Sequence, residues 1–337
     1  MMLEEQIKNA INKLSESGNA DLCEDLIRTQ GVKSPAFAQA AFEAGVFRPA
    51  ILYQDASPEI RDKLIDLLEH EKADQLKLYE RSPHGSQLSE DSSNRLKVNN
   101  CLVALAMIGD DTVAEYFQKW EESPKAWREA LYIGPAAYAN EGGWCIEDGK
   151  KKSLFFEECY ALEKSENAAP EDNMYGGTAP DKCPFCGSSY VNVLVLDGRD
   201  ERLSFLGING KIKVKYCEGC LPWTESIFCR YTEDGESTII QHVGGEDYFA
   251  EDEDINDRTP YVLSKKMVPK SYCEEFERSA LGGRPAFLDD AKYAICPECG
   301  KRMMHLAQLG MELSDCGTHY IQICRDCKIV TALYQQT

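Results

Sequence analysis

Apolar residues recur at helical intervals through the first half of this chain and in short β-like runs through the second. Leu3, Ile7, Ile11 and Leu14 are spaced to share one helical face, with Glu4, Glu5, Lys8 and Asn9 on the other side. A second helix is expected over Asp21 to Arg28, with Leu22, Leu26 and Ile27 turned inward. Ser34-Pro35, Ser57-Pro58 and Ser123-Pro124 each offer a capping hydroxyl followed by proline at the first helical position. The serine oxygen accepts from an orphan backbone N–H, and proline has no N–H to leave unpaired. After Ser57, residues Ile60, Leu64, Ile65, Leu67 and Leu68 form a broad stripe. Ser82-Pro83-His84-Gly85 opens a polar loop instead, continuing to Asn94.

The stretch from Leu96 to Phe117 resembles a HEAT-type helical hairpin. Leu102, Val103, Leu105, Ala106 and Ile108 make the first face, and Val113, Ala114, Phe117 and Trp120 the second. Between them, Gly109 can end one helix at positive φ and an aspartate at 110 or 111 can cap the next. Trp127, Ala130 and Leu131 continue the pattern. A stack of such pairs would bury one core and present a binding surface, and irregular helical packing is the alternative. Trp127, Tyr132, Tyr138 and Trp144 read as core at this spacing, with a peptide groove as the second reading. The helical pattern is expected to run to residue 163. Prolines, glycines and polar residues then mark 164–182 as an irregular linker.

Beyond 182 the pattern changes to strands. Tyr190 to Leu196, Leu203 to Leu206 and Lys211 to Tyr216 are rich in β-formers, with Asp197-Gly198 and Asn209-Gly210 as turns. Ser226 to Thr232 and Ser237 to Val243 flank a glycine-containing loop and read as a hairpin. Met303 to Leu309, Thr318 to Ile323 and Ile329 to Tyr334 complete the set. The expected fold class is therefore α+β in two domains. One is helical and HEAT-like over 1–163. The other, over 183–337, is β-rich.

Four Cys-x-x-Cys pairs punctuate those strands: Cys183/Cys186, Cys217/Cys220, Cys296/Cys299 and Cys324/Cys327. The first two pairs are separated by 30 residues and the last two by 24. That is the spacing of two tetrathiolate Zn2+ sites in zinc ribbons. Cys183-Pro-Phe-Cys186-Gly187 and Cys296-Pro-Glu-Cys299-Gly300 share a tight-turn pattern. Proline fixes φ early, and the glycine permits positive φ after the second ligand. Pairing within each set follows the ribbon precedent, with crossed pairing as the alternative. Lys182, Lys301, Arg302, Arg325 and Lys328 flank the turns, either offsetting thiolate charge or simply solvated. Two structural zinc ions are expected.

Composition narrows the function classes. The formal net charge is -20, from 37 Lys+Arg against 57 Asp+Glu. This opposes a general nucleic-acid or anionic-membrane binder and suits a basic protein partner, although an acidic surface also serves solubility. The remaining seven of 15 cysteines are Cys23, Cys101, Cys145, Cys159, Cys229, Cys273 and Cys316. Their scatter reads as buried free thiols. Cysteine pairs used for metal, a start without a basic and apolar leader, and no long apolar run together predict a cytoplasmic protein with no membrane span. The acidic run at 246–257 lacks the glycine of a calcium loop and reads as a mobile loop.

The segment Leu281-Gly282-Gly283-Arg284-Pro285-Ala286-Phe287-Leu288-Asp289-Asp290, with Tyr293, Met303 and Leu306-Ala307-Gln308, resembles the YwqG-like family of bacterial proteins of unknown function. The resemblance covers residues 180–337 and is clearest from Leu281 onward. Phe287 stands where members usually carry Trp or a similar aromatic. It implies a β-rich domain with a cysteine ribbon and supplies no catalytic residues. Some members are similar to proteins encoded beside secreted toxins, so toxin neutralisation is a role it allows.

Three functional readings follow. The first is a non-enzymatic interaction protein. The second is a thiol-disulfide oxidoreductase using Cys183-Pro-Phe-Cys186, although that chemistry usually places the first cysteine at a helix N-terminus. The third is a nucleic-acid-binding zinc ribbon, where Lys211, Lys213 and Lys215 alternate on one strand. A catalytic zinc is disfavoured, because four cysteines close the coordination sphere. His305 and His319 could each replace a cysteine ligand, and core or surface roles suit them better. His70, His84 and His242 form no ligand pair at helical spacing.

Overall fold

A computed structural model describes residues 2–17, 23, 26, 35–75, 90–243, 260–269, 272–273, 275–311, 313–314 and 317–336. The expected features at Ser34, at Ser82 to Gly85, in the 246–257 run and at Cys316 lie outside these residues. So does most of the Asp21 to Arg28 helix. The chain divides into two compact units, Met1–Ser153 and Leu154–Thr337.

The first unit is mainly helical. Its described elements are α1 (Met2–Ser17), α2 (Pro35–Ala44), α3 (Pro58–Glu69), α4 (Glu90–Ile108) and α5 (Asp111–Glu122), then short 3-10 turns and the hairpin β1 (Trp144–Glu147) and β2 (Lys150–Ser153). Ile7, Ile11 and Leu14 of α1 are buried as their spacing requires, while the side chain of Leu3 is outside the described residues. Ser57 caps α3 by accepting from the Ile60 N–H at 3.4 Å, with Pro58 in the first turn. Gly109 ends α4 at φ 53°, and Asp110 caps α5 by accepting from the Val113 N–H at 3.0 Å. The other Asp110 oxygen takes the Arg61 guanidinium at 2.7 Å, which ties the α5 cap to α3.

Three of the four aromatics in the run are anchored. The Trp127 indole donates to the Leu68 carbonyl, the Trp144 indole to the Ala106 carbonyl, and the Tyr138 hydroxyl to Asn99. Tyr132 is instead 91% exposed. Glu69 collects Lys119, Lys125 and the Trp120 indole. Burial works against its charge, but those donors prevail and hold its carboxyl at about 2.

Further local expectations fail here. Residues 90–94, read as the end of a polar loop, instead open α4. Ser123 ends α5 rather than starting a helix, since its N–H completes the last turn on the Lys119 carbonyl and a 3-10 turn, Ala126–Ala130, follows. Residues 144–153 also form a hairpin, closed by Asp148 and Gly149 at positive φ, where helix was expected.

The second unit is β-rich. Its strands are β3 (Cys159–Lys164), β4 (Thr178–Lys182), β5 (Ser189–Asp197), β6 (Lys211–Tyr216), β7 (Ser226–Tyr231), β8 (Ser237–Val243), β9 (Tyr261–Leu263), β10 (Ala280–Gly282), β11 (Met304–Leu309), β12 (Thr318–Cys324) and β13 (Ile329–Gln335). Among the described residues, eight form one antiparallel sheet in the order β8-β7-β13-β12-β11-β10-β3-β9, and β4-β5-β6 form a second. Val193, Leu194, Leu196, Ile212 and Val214 of the small sheet share a core with Ile227, Leu306, Ile321, Ile323, Val330 and Ala332 of the large one.

The stretch read as the end of the helical half is thus partly β3, held between β10 and β9. The stretch read as linker contains β4. Leu203 to Leu206, expected as a strand, belongs to a 3-10 turn, Glu201–Leu206, because the Asp200 carboxylate accepts from the Arg202 N–H and starts a turn.

The other face of the large sheet is covered by irregular chain. Three buried glutamines on adjacent strands clamp it. The Gln308 amide nitrogen donates to the carbonyls of Glu275 and Arg278, and its oxygen accepts from the Ala286 N–H, each at 2.9 Å. Gln322 donates to the Lys292 carbonyl and accepts from the Ala294 N–H, at 2.7 and 2.8 Å. Gln335 accepts from Leu288 and Asp289 and donates to the Asp290 carbonyl. The Tyr320 hydroxyl donates to the Ala286 carbonyl at 2.6 Å and accepts from the Leu288 N–H at 3.1 Å. A buried loop leaves backbone groups that no ladder serves, and these side chains serve them.

His305 lies opposite Gln322 in the β11–β12 register, with no solvent exposure and neither ring nitrogen hydrogen-bonded. Burial pushes its pKa down to about 3 from an ordinary 6.5. The unfolded chain therefore takes a proton below its unfolded pKa that the fold refuses. Stability from this residue is complete above pH 6.5 and is lost as pH falls toward the folded value. Between about pH 7 and about pH 5 the loss is about 2 kcal/mol. A His305→Leu variant is expected to lose correspondingly less stability than the parent over that interval, read from urea midpoints. An identical pH dependence in both proteins contradicts this assignment.

Candidate metal centres

Tight turns at strand ends bring the cysteines together. Cys183 and Cys186 lie between β4 and β5, and Cys217 and Cys220 follow β6. Cys296 and Cys299 precede β11, Cys324 ends β12, and Cys327 precedes β13. Within each set the four Sγ atoms all lie within 4.8 Å of one another. Measured separations include Cys183–Cys220 at 3.6 Å, Cys186–Cys217 at 3.3 Å and Cys299–Cys324 at 3.8 Å. A tetrahedral Zn2+ with Zn–S bonds of about 2.3 Å spaces its sulfurs about 3.8 Å apart. The donor set and spacing therefore fit one four-coordinate zinc per cluster, grouped within each set rather than crossed.

The turn chemistry is the same in both proline-containing knuckles. The Gly187 N–H donates to the Cys183 carbonyl at 2.9 Å, and the Cys183 N–H to the Ser188 carbonyl at 2.8 Å. The equivalent bonds run from Gly300 to Cys296 at 3.0 Å and from Cys296 to Lys301 at 2.8 Å. Gly187 and Gly300 sit at φ 80° and 71°. Lys328 takes the matching position after Cys327 at φ 54°, without glycine's freedom.

Crowding sets the electrostatics of the first cluster. The Cys183 thiol is lowered by hydrogen bonds from Cys217 and Cys220, assisted by the N–H groups of Cys186 and Phe185. Cys220, bonded to Cys183, is pushed up to about 12. In the second cluster, burial pushes Cys324 up to about 11. One sulfur can carry charge only while its neighbours hold protons, and a divalent cation removes that competition.

The flanking charges are mostly engaged elsewhere. The Arg325 guanidinium donates to the Leu206 carbonyl at 3.2 Å, and Lys328 pairs with Glu233 at 3.6 Å. A residue without a sequence signal, Arg230 on β7, joins the two knuckles of the second cluster. It donates to the Cys327 carbonyl and pairs with Glu298. Beside the first cluster, the His242 ring packs on Phe185 at 4.7 Å. His319 Nδ1 meets the Tyr216 hydroxyl at 2.7 Å, and neither His305 nor His319 belongs to a cysteine cluster.

Two cysteines expected as free thiols are joined: Cys159 on β3 and Cys273 form a disulfide across 114 residues of sequence. The Val268 N–H donates to the Cys159 carbonyl, which brings the segment after β9 onto β3. Gly283, at φ 74°, packs against both sulfurs and donates to the Phe156 and Glu158 carbonyls. Cys23, Cys101, Cys145 and Cys229 stay as buried thiols.

Among known proteins, the chain is similar to the uncharacterized protein YpfL of Salmonella typhimurium strain LT2. The two are 28% identical over 303 residues, covering 85% of this chain and 64% of that protein. The chain thus spans less than two thirds of that relative's length. No family model matches the chain, and no solved structure matches it.

A Cβ at Gly300 would meet nothing within 4 Å, so its cost is the left-handed backbone alone. Gly300→Ala is expected to lower stability by about 1 kcal/mol. Gly283→Ala should cost more, because its Cβ would collide with the Cys273 sulfur. Chemical denaturation of both variants checks the order, and a milder effect at Gly283 contradicts it.

Proposed function

We propose that this chain is a non-enzymatic, zinc-stabilised protein-interaction protein that engages a basic protein partner, with a secreted nuclease-type toxin as the partner class. The convergence of four sulfurs within 4.8 Å in each of two clusters carries the reading. Eight cysteines, Cys183, Cys186, Cys217, Cys220, Cys296, Cys299, Cys324 and Cys327, hold two structural Zn2+ ions. Four thiolates per ion leave no coordination position for a substrate or a reactive water. The zinc holds strand ends together, and recognition belongs to the surfaces so fixed. The helical unit serves as a HEAT-like array, and the β-rich unit is YwqG-like.

A net charge of -20 supports a basic partner and a salt-sensitive encounter. The oxidoreductase reading has less behind it. Cys183 sits in a knuckle followed by β5, not at the start of a helix that would activate it. A zinc-knuckle site of this type carries about 10–16 kcal/mol of apparent binding energy, comparable with the whole stability of a domain.

Native mass spectrometry of the full chain is expected to show two zinc ions, falling to one in Cys217→Ser and staying at two in Cys145→Ser. A metal-free parent refutes the zinc assignment. The immobilised chain should retain a basic toxin domain at low ionic strength and release it as salt rises. Retention of no such protein under any salt condition removes the partner assignment and leaves the zinc assignment standing.

A further inference from the structure

Resting on the zinc reading, we propose that the second cluster, Cys296/Cys299/Cys324/Cys327, is a metal-release site that an incoming hydroperoxide or chelator empties while the first cluster stays loaded. The two clusters have the same ligands and different surroundings. In the first, Cys183, Cys217 and Cys220 are buried, and only Cys186 is half-buried. Three of these sulfurs lie in the main core of the unit, among Tyr190, Val193, Tyr216 and Leu221. In the second, only Cys296 is buried. Cys299 is exposed, and Cys324 and Cys327 are half-buried. Their apolar support is a small separate group made of Phe228, Met303 and Ile329 with Cys296.

The knuckles repeat the contrast in part, since the first cluster's leading knuckle exposes Pro184, Phe185 and Gly187 while Cys183 itself stays buried. Every residue from Pro297 to Gly300 is exposed, as are Arg325 and Asp326 between the other two ligands. In the first cluster the turn from Cys217 to Cys220 is covered: Glu218 is 7% exposed and Leu221 fully buried. A reagent reaches the second set of sulfurs from solvent. It reaches most of the first set only after the core opens, and local opening carries its own free energy. Of the two, only the second cluster combines an exposed sulfur with a neighbour placed for reaction, Cys324 at 3.8 Å from Cys299.

The oxidative step balances as follows. The Cys299 thiolate attacks one peroxide oxygen, the O–O bond breaks, and hydroxide leaves. The Cys324 thiolate attacks the resulting sulfenic sulfur, the S–S bond forms, and the second hydroxide leaves. Two thiolates give up two electrons, hydrogen peroxide accepts them, and two solvent protons complete two waters. Cys296 and Cys327 alone hold the Zn2+ too weakly to keep it. Cys324 closes β12 and Cys327 precedes β13, so release frees the β12–β13 turn. It also loosens the Arg230 link between Glu298 and the Cys327 carbonyl. The switch is thus a local one, confined to one end of the large sheet.

The test uses the zinc-loaded full chain with hydrogen peroxide, and separately with a strong zinc chelator, while a chromogenic dye reports free zinc. Two phases of one equivalent each are expected, the faster by about tenfold or more. Alkylation mapping after the fast phase should find Cys299 and Cys324 oxidised and all four cysteines of the first cluster still protected. Cys299→Ser should abolish the fast phase and keep the slow one. Both equivalents leaving in one phase, or modification appearing first at Cys183, Cys186, Cys217 or Cys220, overturns this inference and spares the zinc reading. A chain that holds no zinc before treatment overturns both. Mapping on the parent protein keeps the test decisive if Cys299→Ser does not fold.

Discussion

Four thiolates confined within 4.8 Å repel one another unless a cation stands between them. That constraint organises the β-rich unit. The ligands sit at the ends of β4, β5, β6, β12 and β13, where strands must turn and where backbone hydrogen bonds run out. A divalent cation at each point would convert that repulsion into a tie between strand ends. The first tie lies inside the core shared by the two sheets, and the second lies at the rim of the large one. Chemically equal sites therefore differ in what guards them, and that difference separates a structural staple from one that solvent can reach.

A second device completes the unit. One face of the large sheet packs on the small sheet with apolar side chains. The opposite face receives chain that has no regular structure, and a loop laid on a sheet brings unpaired N–H and carbonyl groups with it. Gln308, Gln322 and Gln335, one on each of three neighbouring strands, answer those groups with both ends of their amides. The Tyr320 hydroxyl adds a further pair. Each hydrogen bond contributes modestly, and leaving the buried partner unmet costs more, about 1–3 kcal/mol. The Gly282-Gly283 turn belongs to the same scheme. Its backbone approaches the Cys159–Cys273 sulfurs closely, which a side chain at 283 would prevent.

Elements governed by local rules were legible in the sequence. Ser57-Pro58 and Asp110 cap helices because capping depends on a few adjacent residues. The knuckle glycines adopt positive φ because the Cys-Pro-x-Cys-Gly turn needs it. Apart from β4, which lies in the stretch read as linker, the strands carrying the ligands matched their β-rich runs to within a residue or two. What failed depended on distant partners. Cys159 to Lys164 continues an apolar pattern compatible with a helix, and only pairing with β10 and β9 makes it a strand. Ser123 has the same dipeptide as Ser57 but arrives at the end of a helix already running. The Cys159–Cys273 bond, the glutamine clamp and the Arg230 link join residues far apart in sequence, and no local pattern announces them.

The central claim is that metal at the strand ends holds the β-rich unit together. Hydrogen-exchange mass spectrometry of the full chain, with zinc bound and after complete chelation, tests it most directly. The account predicts that amides of β5, β6, β12 and β13 lose their protection when zinc is removed and regain it when zinc is returned, while α3, α4 and α5 change little. Unchanged protection of those strands in the metal-free chain would contradict it.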